Sequence, residues 1–456
     1  MLLKSIPLWG GLCLLFTAGT ATAQTPANTF AASTNHSAII RPDGSLWTSG
    51  INLEGQLGNG TTTCSTSPVR VKTEDPNTHW AQVAAGTSHT LALTTDGRLY
   101  TWGGNSKGQL GDGTNKQHLT PVAVKLPEEA AHATWKQVAA GTSHSLALST
   151  DGRLYVWGNN TNGQLGQGTS LDYTHPVEVP LPESARSTTW AQVAAGNDHT
   201  LALTADGRLF AWGNNQFGQL GNGSYATSRE PEAVGQTRKL AALRWAYVAA
   251  GRFHTLAVTE DGKLYSWGSN RFGQLGEEED TQRNLPTLML MPGGLANAVW
   301  TQVAAGDAHS LALSADGRLV AWGNNCAGQL GDGTTVRQLQ PVVVTLPENA
   351  SAAVAWTRIA SGGFHNLAYT ADGQLYTWGA NRFGQLGDGT ALDHNQPMSQ
   401  ESIFTKQSSP SPSGLGGDLS SLDGAEAWGL NDTRLLKEMP EAPSFMMLPQ
   451  QADDRP

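Results

Sequence analysis

The chain has 456 residues, of which 53 are glycine and 15 tryptophan, and only 14% are charged. That length excludes a single small sandwich, and so much glycine with regularly placed tryptophan excludes a bundle of long helices; short strands joined by tight turns fit both. A formal net charge of −10 offers no electrostatic footprint for a phosphate backbone, so nucleic acid is not an expected partner.

Residues 1–23 read as an export signal. Met1-Leu2-Leu3-Lys4 is a short positive region, an apolar run extends from Ile6 to Phe16, and Ala21-Thr22-Ala23 supplies small residues for cleavage before Gln24. The apolar run is too short to cross a membrane, and Pro7 and its glycines interrupt it. The expected location is therefore secreted or periplasmic, with no membrane span left after cleavage. Cys64 and Cys326 are the only cysteines beyond residue 23. They fall in repeats one and six, which are not neighbours in a ring of seven, so no disulfide is expected between them.

From about residue 30 to residue 400 the sequence repeats. Gly-Gln-Leu-Gly begins at Gly55, Gly108, Gly163, Gly218, Gly273, Gly328 and Gly384. A histidine recurs with it (His36, His89, His144, His199, His254, His309, His365), and so does an Asp-Gly pair starting at Asp43, Asp96, Asp151, Asp206, Asp261, Asp316 and Asp372. A period this long implies one supersecondary unit per repeat. In the fourth unit, Trp190 to Gly196 is a short extended segment and His199 to Thr204 is a strand. Asp206-Gly207 makes a tight hairpin, because such turns need positive φ. Leu209 to Gly213 returns, a loop runs through Gly218 to Gly223, and a last strand falls near Pro231 to Val234, with Pro176 to Val179 its counterpart one repeat earlier.

Four strands per unit is the content of a propeller blade. The expected fold is all-β: a seven-bladed β-propeller with four-stranded antiparallel blades over residues 24–405. A propeller narrows toward its axis, so the recurring Val-Ala-Ala-Gly at Val83, Val138, Val193, Val248 and Val303 belongs beside the channel. A solenoid would need atypical polar caps, which repeats one and seven do not supply.

The combined pattern, Val-Ala-Ala-Gly-x-x-His-x-Leu-Ala-Leu, Asp-Gly-x-Leu-Tyr-x-Trp-Gly and Asn-x-x-Gly-Gln-Leu-Gly, resembles the regulator of chromosome condensation repeat. The resemblance covers about residues 30–400 in seven copies and implies a seven-bladed propeller. Repeat one departs from it: Thr29-Phe30-Ala31-Ala32-Ser33 stands where the others have Trp-x-Gln-Val-Ala-Ala-Gly. The family's best-known member is a nuclear nucleotide-exchange factor for a small GTPase that also binds histones and DNA. The export signal and the acidic balance disfavour those roles here.

Repeated residues are expected to hold the fold. Seven histidines spread one per blade cannot converge on one metal ion; each reads instead as a buried group satisfying loop backbone. Trp47, Trp102, Trp157, Trp212, Trp267, Trp322 and Trp378 read as packing between blades. Asn52, Asn105, Asn160, Asn215, Asn270, Asn325 and Asn381 read as braces for the long loop. No catalytic constellation, cofactor motif or metal cluster stands out from the repeat.

Function is expected where the repeats differ. The two variable windows are the pair before each histidine and the pair after each loop asparagine. Most copies carry small polar residues there. Repeat five carries Arg252, Phe253, Arg271 and Phe272, repeat seven carries Phe364, Arg382 and Phe383, and repeat four carries Phe217. Arginine and aromatic residues are enriched in binding hot spots. Repeat five also replaces Gly-x-Gly-Thr with an acidic run, Glu277 to Asp280. The expectation is an extracellular or periplasmic binding protein with a protein or glycan ligand on one loop face. The alternatives are a hydrolase or lyase acting on an extracellular polymer and, by resemblance only, a nucleotide-exchange factor. Residues 406–456 read as a Ser/Pro/Gly-rich linker and a disordered tail.

Overall fold

A computed structural model describes residues 29–130, 132–346 and 355–400. The expectations for residues 1–23 and 406–456 lie outside them. Seven four-stranded antiparallel sheets follow one another along the chain, each with its strands in sequence order. Blade 3 is representative: an inner strand Trp135–Ala140, a second strand His144–Ser149, a third Leu154–Gly158 and an outer strand Tyr173–Val179. The outer strand begins at Tyr173, earlier than the sequence suggests. It tolerates Pro176 because an edge strand has no further neighbour to receive the missing N–H.

The hairpin between second and third strands is built by its own residues. In blade 4, Thr204 N donates to Arg208 O at 2.9 Å, and Thr204 Oγ1 donates to the Asp206 carboxylate. Gly207 takes φ +79°, a conformation that only glycine adopts cheaply. The same Asp accepts from the arginine after the glycine, as in Arg208–Asp206 at 2.8 Å. Helix is confined to Arg238–Ala241 and three single 3₁₀ turns among the described residues, none able to cross a membrane.

The second strand is buried along its whole length. In His199–Thr204 every residue is covered, so its alternation does not separate core from solvent. It sorts side chains between two neighbours instead. Leu201 and Leu203 pack with Trp245 and Trp267 of blade 5, whereas Ala202, with Phe210 and Trp212, packs against Leu146 and Leu148 of blade 3. The inner strands line the axial channel with valine and alanine, as their small size requires.

One sequence assignment needs correction. In six blades the third-strand tryptophan is fully buried, and its Nε1 donates to the glutamine carbonyl of the previous blade's Gly-Gln-Leu-Gly, as Trp102 does to Gln56 O at 2.9 Å and Trp212 to Gln164 O at 2.9 Å. Trp47 does not belong with them. Gly50 pairs with His36 as Gly103 pairs with His89, so Ser49 occupies the position of Trp102, and Trp47 that of Tyr100. Trp47 is partly exposed, and its Nε1 donates to Ser45 Oγ at 2.8 Å. The spacing carries the signal: the first two Gly-Gln-Leu-Gly copies start at Gly55 and Gly108, a shorter interval than that from Trp47 to Trp102.

The ring closes without exchanging a strand. Blade 1 is made of Phe30–Ala32, His36–Ile40, Leu46–Gly50 and Ser65–Arg70, and side chains hold it to blade 7. Phe30 meets Tyr369 edge-on at 5.0 Å, Arg358 donates to Thr29 Oγ1 at 2.6 Å, and Ser37 Oγ donates to Gln385 O at 2.7 Å. Cys64 and Cys326 are exposed thiols on blades 1 and 6, with no disulfide between them.

Candidate interaction face

Antiparallel strands send the loops between first and second strands, and those between third and outer strands, to the same end of the ring. Both variable windows therefore lie on one face. The asparagines brace it as expected. Asn215 Oδ1 accepts from Leu220 N at 3.0 Å, and its Nδ2 donates to Ser224 O at 3.1 Å and Ala226 O at 3.0 Å. The other six asparagines likewise accept from the leucine of Gly-Gln-Leu-Gly and donate to a loop carbonyl.

Behind this face runs a closed belt of histidines. Each is fully buried, but its partner is a side chain of the next blade rather than loop backbone. His36 Nε2 pairs with Thr90 Oγ1 at 3.0 Å, His89 with Ser145 Oγ at 3.0 Å, His144 with Thr200 Oγ1 at 3.2 Å and His199 with Thr255 Oγ1 at 3.4 Å. His254 pairs with Ser310 Oγ at 2.9 Å, His309 with Asn366 Oδ1 at 2.9 Å, and His365 with Ser37 Oγ at 2.8 Å, which closes the circle. Each hydroxyl spends its own proton on a glutamine carbonyl of the preceding blade, as Thr200 does on Gln164 O at 2.8 Å. The imidazole must therefore donate from Nε2. Burial holds His144 down to about 3 and His199 to about 4, so the belt is neutral. Among the described residues no group of three or more His, Cys, Asp or Glu is placed to hold a metal ion.

The channel mouth is rimmed by the first residue of each variable pair. It is threonine in three blades (Thr34, Thr87, Thr142), then Asn197, Arg252, Asp307 and Gly363. Rim backbones are tied across blades, with Thr142 N donating to Asn197 O at 3.1 Å, Asp307 N to Gly363 O at 3.0 Å and Gly363 N to Ser33 O at 3.0 Å. The rim is thus a stiff mount on which side-chain chemistry changes abruptly at blades 4 to 6.

The sequence-selected residues form two groups on this face. Around blade 5, Arg252 lies 5.0 Å above the Phe253 ring and pairs with Asp307 at 3.8 Å. Phe253 packs on Phe217 of blade 4 at 4.9 Å. Arg252, Phe253 and Phe272 are partly covered, while Arg271 is exposed. Arg337 brackets this loop, donating to Arg271 O at 3.1 Å and pairing with Asp280 of the acidic run at 3.7 Å. On blade 7, Phe364 is partly covered, and Arg382 and Phe383 are exposed. Blade 6 separates the two groups.

Sequence reasoning missed the acids that flank Arg252. Burial pushes the carboxyls of both Asp198 and Asp307 above the usual carboxylate range, and Arg252 opposes that shift in each. Comparing one position around the ring, rather than looking for aromatic outliers, would have found them: Asn197-Asp198, Arg252 and Asp307 occupy equivalent windows of successive blades.

Comparison with known proteins bears on what such a face does. The family model described as the RCC1-like domain matches residues 17–355, and models of the regulator of chromosome condensation (RCC1) repeat match residues 356–385 and 372–407. The ultraviolet-B receptor UVR8 of Arabidopsis thaliana is 34% identical over 374 residues, covering 82% of this chain and 81% of the receptor. The E3 ubiquitin-protein ligase HERC2 of Homo sapiens is 31% identical over 80% of this chain, but the match spans only 7% of the ligase. Among solved structures, Prp20p from Saccharomyces cerevisiae, described with its binding properties to Gsp1p and histones, is 28% identical with a TM-score of 0.67, covering 81% of this chain and 87% of that one.

Proposed function

The chain belongs to the regulator of chromosome condensation (RCC1) repeat family, and from that premise we propose that it is a binding protein that receives a protein partner on the rim face. The observation that carries this reading is the break in repeat chemistry at blades 4 to 7. A stiff rim of small polar residues gives way there to Arg252 on Phe253 and Phe217, with Arg271 exposed on the same blade and Arg382 and Phe383 exposed on blade 7. Exposed arginine and aromatic side chains on a rigid mount suit a hot spot, because little backbone ordering is needed on binding. Prp20p, a relative with the same propeller, is described by its binding properties to Gsp1p and histones. In a chain of net charge −10, exposed arginines on one face favour a partner surface that carries carboxylates beside an apolar patch. The signal read at residues 1–23 supports a place of action outside the cytoplasm.

The test is a pull-down from envelope extract and culture medium with the full chain, read by mass spectrometry together with the recovered N-terminus. One partner retained in stoichiometric amount, and lost from the triple variant Arg271→Ala, Arg382→Ala, Phe383→Ala, is the expected result. A recovered chain starting at Gln24 is the expected mark of export. A partner held equally well by the triple variant rejects the face.

A further inference from the structure

At the channel mouth the change of rim side chains becomes a set of convergent polar groups. Thr34, Thr87, Thr142, Asn197, Arg252 and Asp307, with Gly363, surround a cavity of about 80 Å³ just beyond the inner strands. Thr29 precedes an inner strand and Gln400 follows an outer one, so both ends of the described chain lie at the hairpin end, away from this mouth. Most backbone donors of the mouth are already used. Thr87 N donates to Thr142 O at 3.3 Å, Thr142 N to Asn197 O at 3.1 Å, and Arg252 N to Gly306 O at 3.3 Å. Asp307 N and Gly363 N donate at 3.0 Å to Gly363 O and Ser33 O. Few amides are left there to hold an anion.

What remains is mostly acceptors. The hydroxyls of Thr34 and Thr87 lie 3.4 Å apart, within reach of each other. Thr142 Oγ1 is buried and has no hydrogen-bond partner, and such groups are rare unless something outside the chain serves them. Thr142 belongs to blade 3 and Asp307 to blade 6, so in a ring of seven they stand nearly opposite each other across the mouth. The charges are unbalanced as well. Arg252 pairs with Asp307 at 3.8 Å, and its field also reaches Asp198 on the blade at its other side. One guanidinium therefore answers two carboxylates. Burial raises both carboxyls above their usual range, against the pull of Arg252.

We propose that the channel mouth is a site for the ammonium group of a lysine presented by the partner on the rim face. The inference rests on the reading of that face as an interaction surface and adds the group that the partner inserts at its centre. An ammonium is compact, carries three N–H donors and has no acceptor to satisfy. It donates to the Asp307 carboxylate, to Thr142 Oγ1 and to the amide oxygen of Asn197, on the blade next to Thr142. The bond to Asp307 is charge-assisted, and the added charge sets two cations against the two carboxylates. A partner carboxylate is excluded from the mouth because Arg252 is already engaged by Asp307. Such groups go instead to the exposed Arg271 and Arg382 on the outer loops.

The test titrates the full chain with Nα-acetyl-lysine N-methylamide and, separately, with its norleucine and glutamate analogues, read by saturation-transfer NMR on the probe. The expected result is millimolar binding of the lysine probe, about tenfold tighter than either analogue. Asp307→Asn keeps the shape, removes the charge and weakens lysine binding about tenfold. Thr142→Val strips a hydroxyl that bonds nothing in the protein, so the melting temperature does not fall while lysine binding weakens about threefold; a merely structural threonine would show the reverse. Lys239→Ala, at the hairpin end, leaves binding unchanged. The probe carries no partner surface, so its binding is read apart from the pull-down: a bound probe with no partner captured retains the ammonium site and rejects its presentation by a partner. Equal affinity for the lysine and norleucine probes, a preference for glutamate, no saturable binding of the lysine probe, or full affinity in Asp307→Asn overturns the proposal.

Discussion

His144 shows what a single residue contributes to this fold. Its ring lies against the α-carbon of Gly141, where a Cβ would fall 2.2 Å from the imidazole Cε1. Its Nε2 is committed to Thr200, and its Nδ1 has no partner to accept a proton for. Burial therefore favours the neutral form and lowers the pKa to about 3, as it does for His36, His89, His254 and His365, with His199 and His309 at about 4. The unfolded chain protonates these groups near 6.5. Below that pH the unfolded state takes up protons that the folded state refuses, so stability is intact above about pH 7 and falls as pH drops toward the folded values. Each histidine contributes about 1.4 kcal/mol per pH unit, and seven together remove roughly 10 kcal/mol per unit, comparable with the whole stability of a domain. Circular dichroism against pH should show unfolding complete by about pH 5. Asp198 and Asp307, raised by burial, oppose the trend, but they are two against seven. Stability that stays flat from about pH 7 to 4.5 would remove the histidines from this account.

At the scale of the element, the second strand couples neighbouring blades through one hydroxyl. Thr200 Oγ1 accepts from His144 of blade 3 and donates to Gln164 O at 2.8 Å. The same carbonyl also accepts from Trp212 Nε1 at 2.9 Å. Thr200→Val keeps the shape and strips the hydroxyl, leaving His144 Nε2–H buried without an acceptor. The carbonyl keeps its indole donor, so the cost is that of one orphaned group, about 1–3 kcal/mol. Thr200→Ser should be close to neutral, since Ser145 and Ser310 fill the same role in blades 3 and 6. Urea denaturation of the two variants separates the effects; equal stability would show that the belt carries no energy. The seven Gly-Gln-Leu-Gly copies, their asparagine braces and the hairpin turns were legible in the sequence because their partners lie within a few residues.

For the whole molecule the seven interfaces are not equal. At six of them a tryptophan of the third strand reaches a glutamine carbonyl of the previous blade. At the seventh, Ser49 replaces it, and the inner strand is Phe30–Ala32 among the described residues. The seam relies on Phe30 against Tyr369 and on Arg358 bonded to Thr29. Local opening follows buried apolar contact, so the amides of His36–Ile40 should exchange with deuterium about tenfold faster than those of His144–Ser149, read by mass spectrometry. Uniform protection around the ring would mean that the side-chain contacts of the seam match a tryptophan interface in strength.

By itself the sequence determined the blade count, the four-strand unit and the small residues at the channel, because each is a local pattern copied seven times. It also marked the loops where copies differ, including Arg252, Arg271 and Arg382. Only the tertiary structure decided which blade a side chain serves. The sequence marked His199–Thr204 as a strand, but that both its faces are buried, one against each neighbour, follows only from the packing of the blades. Trp47 looked like a seventh wedge until strand register placed Ser49 there. Arg252 stood out in the sequence as a departure from the repeat, and only the packing of blade 5 on blade 6 set it beside Asp307. A repeat fixes what each unit contains; register and closure, which depend on residues far apart in the chain, fix what each unit touches.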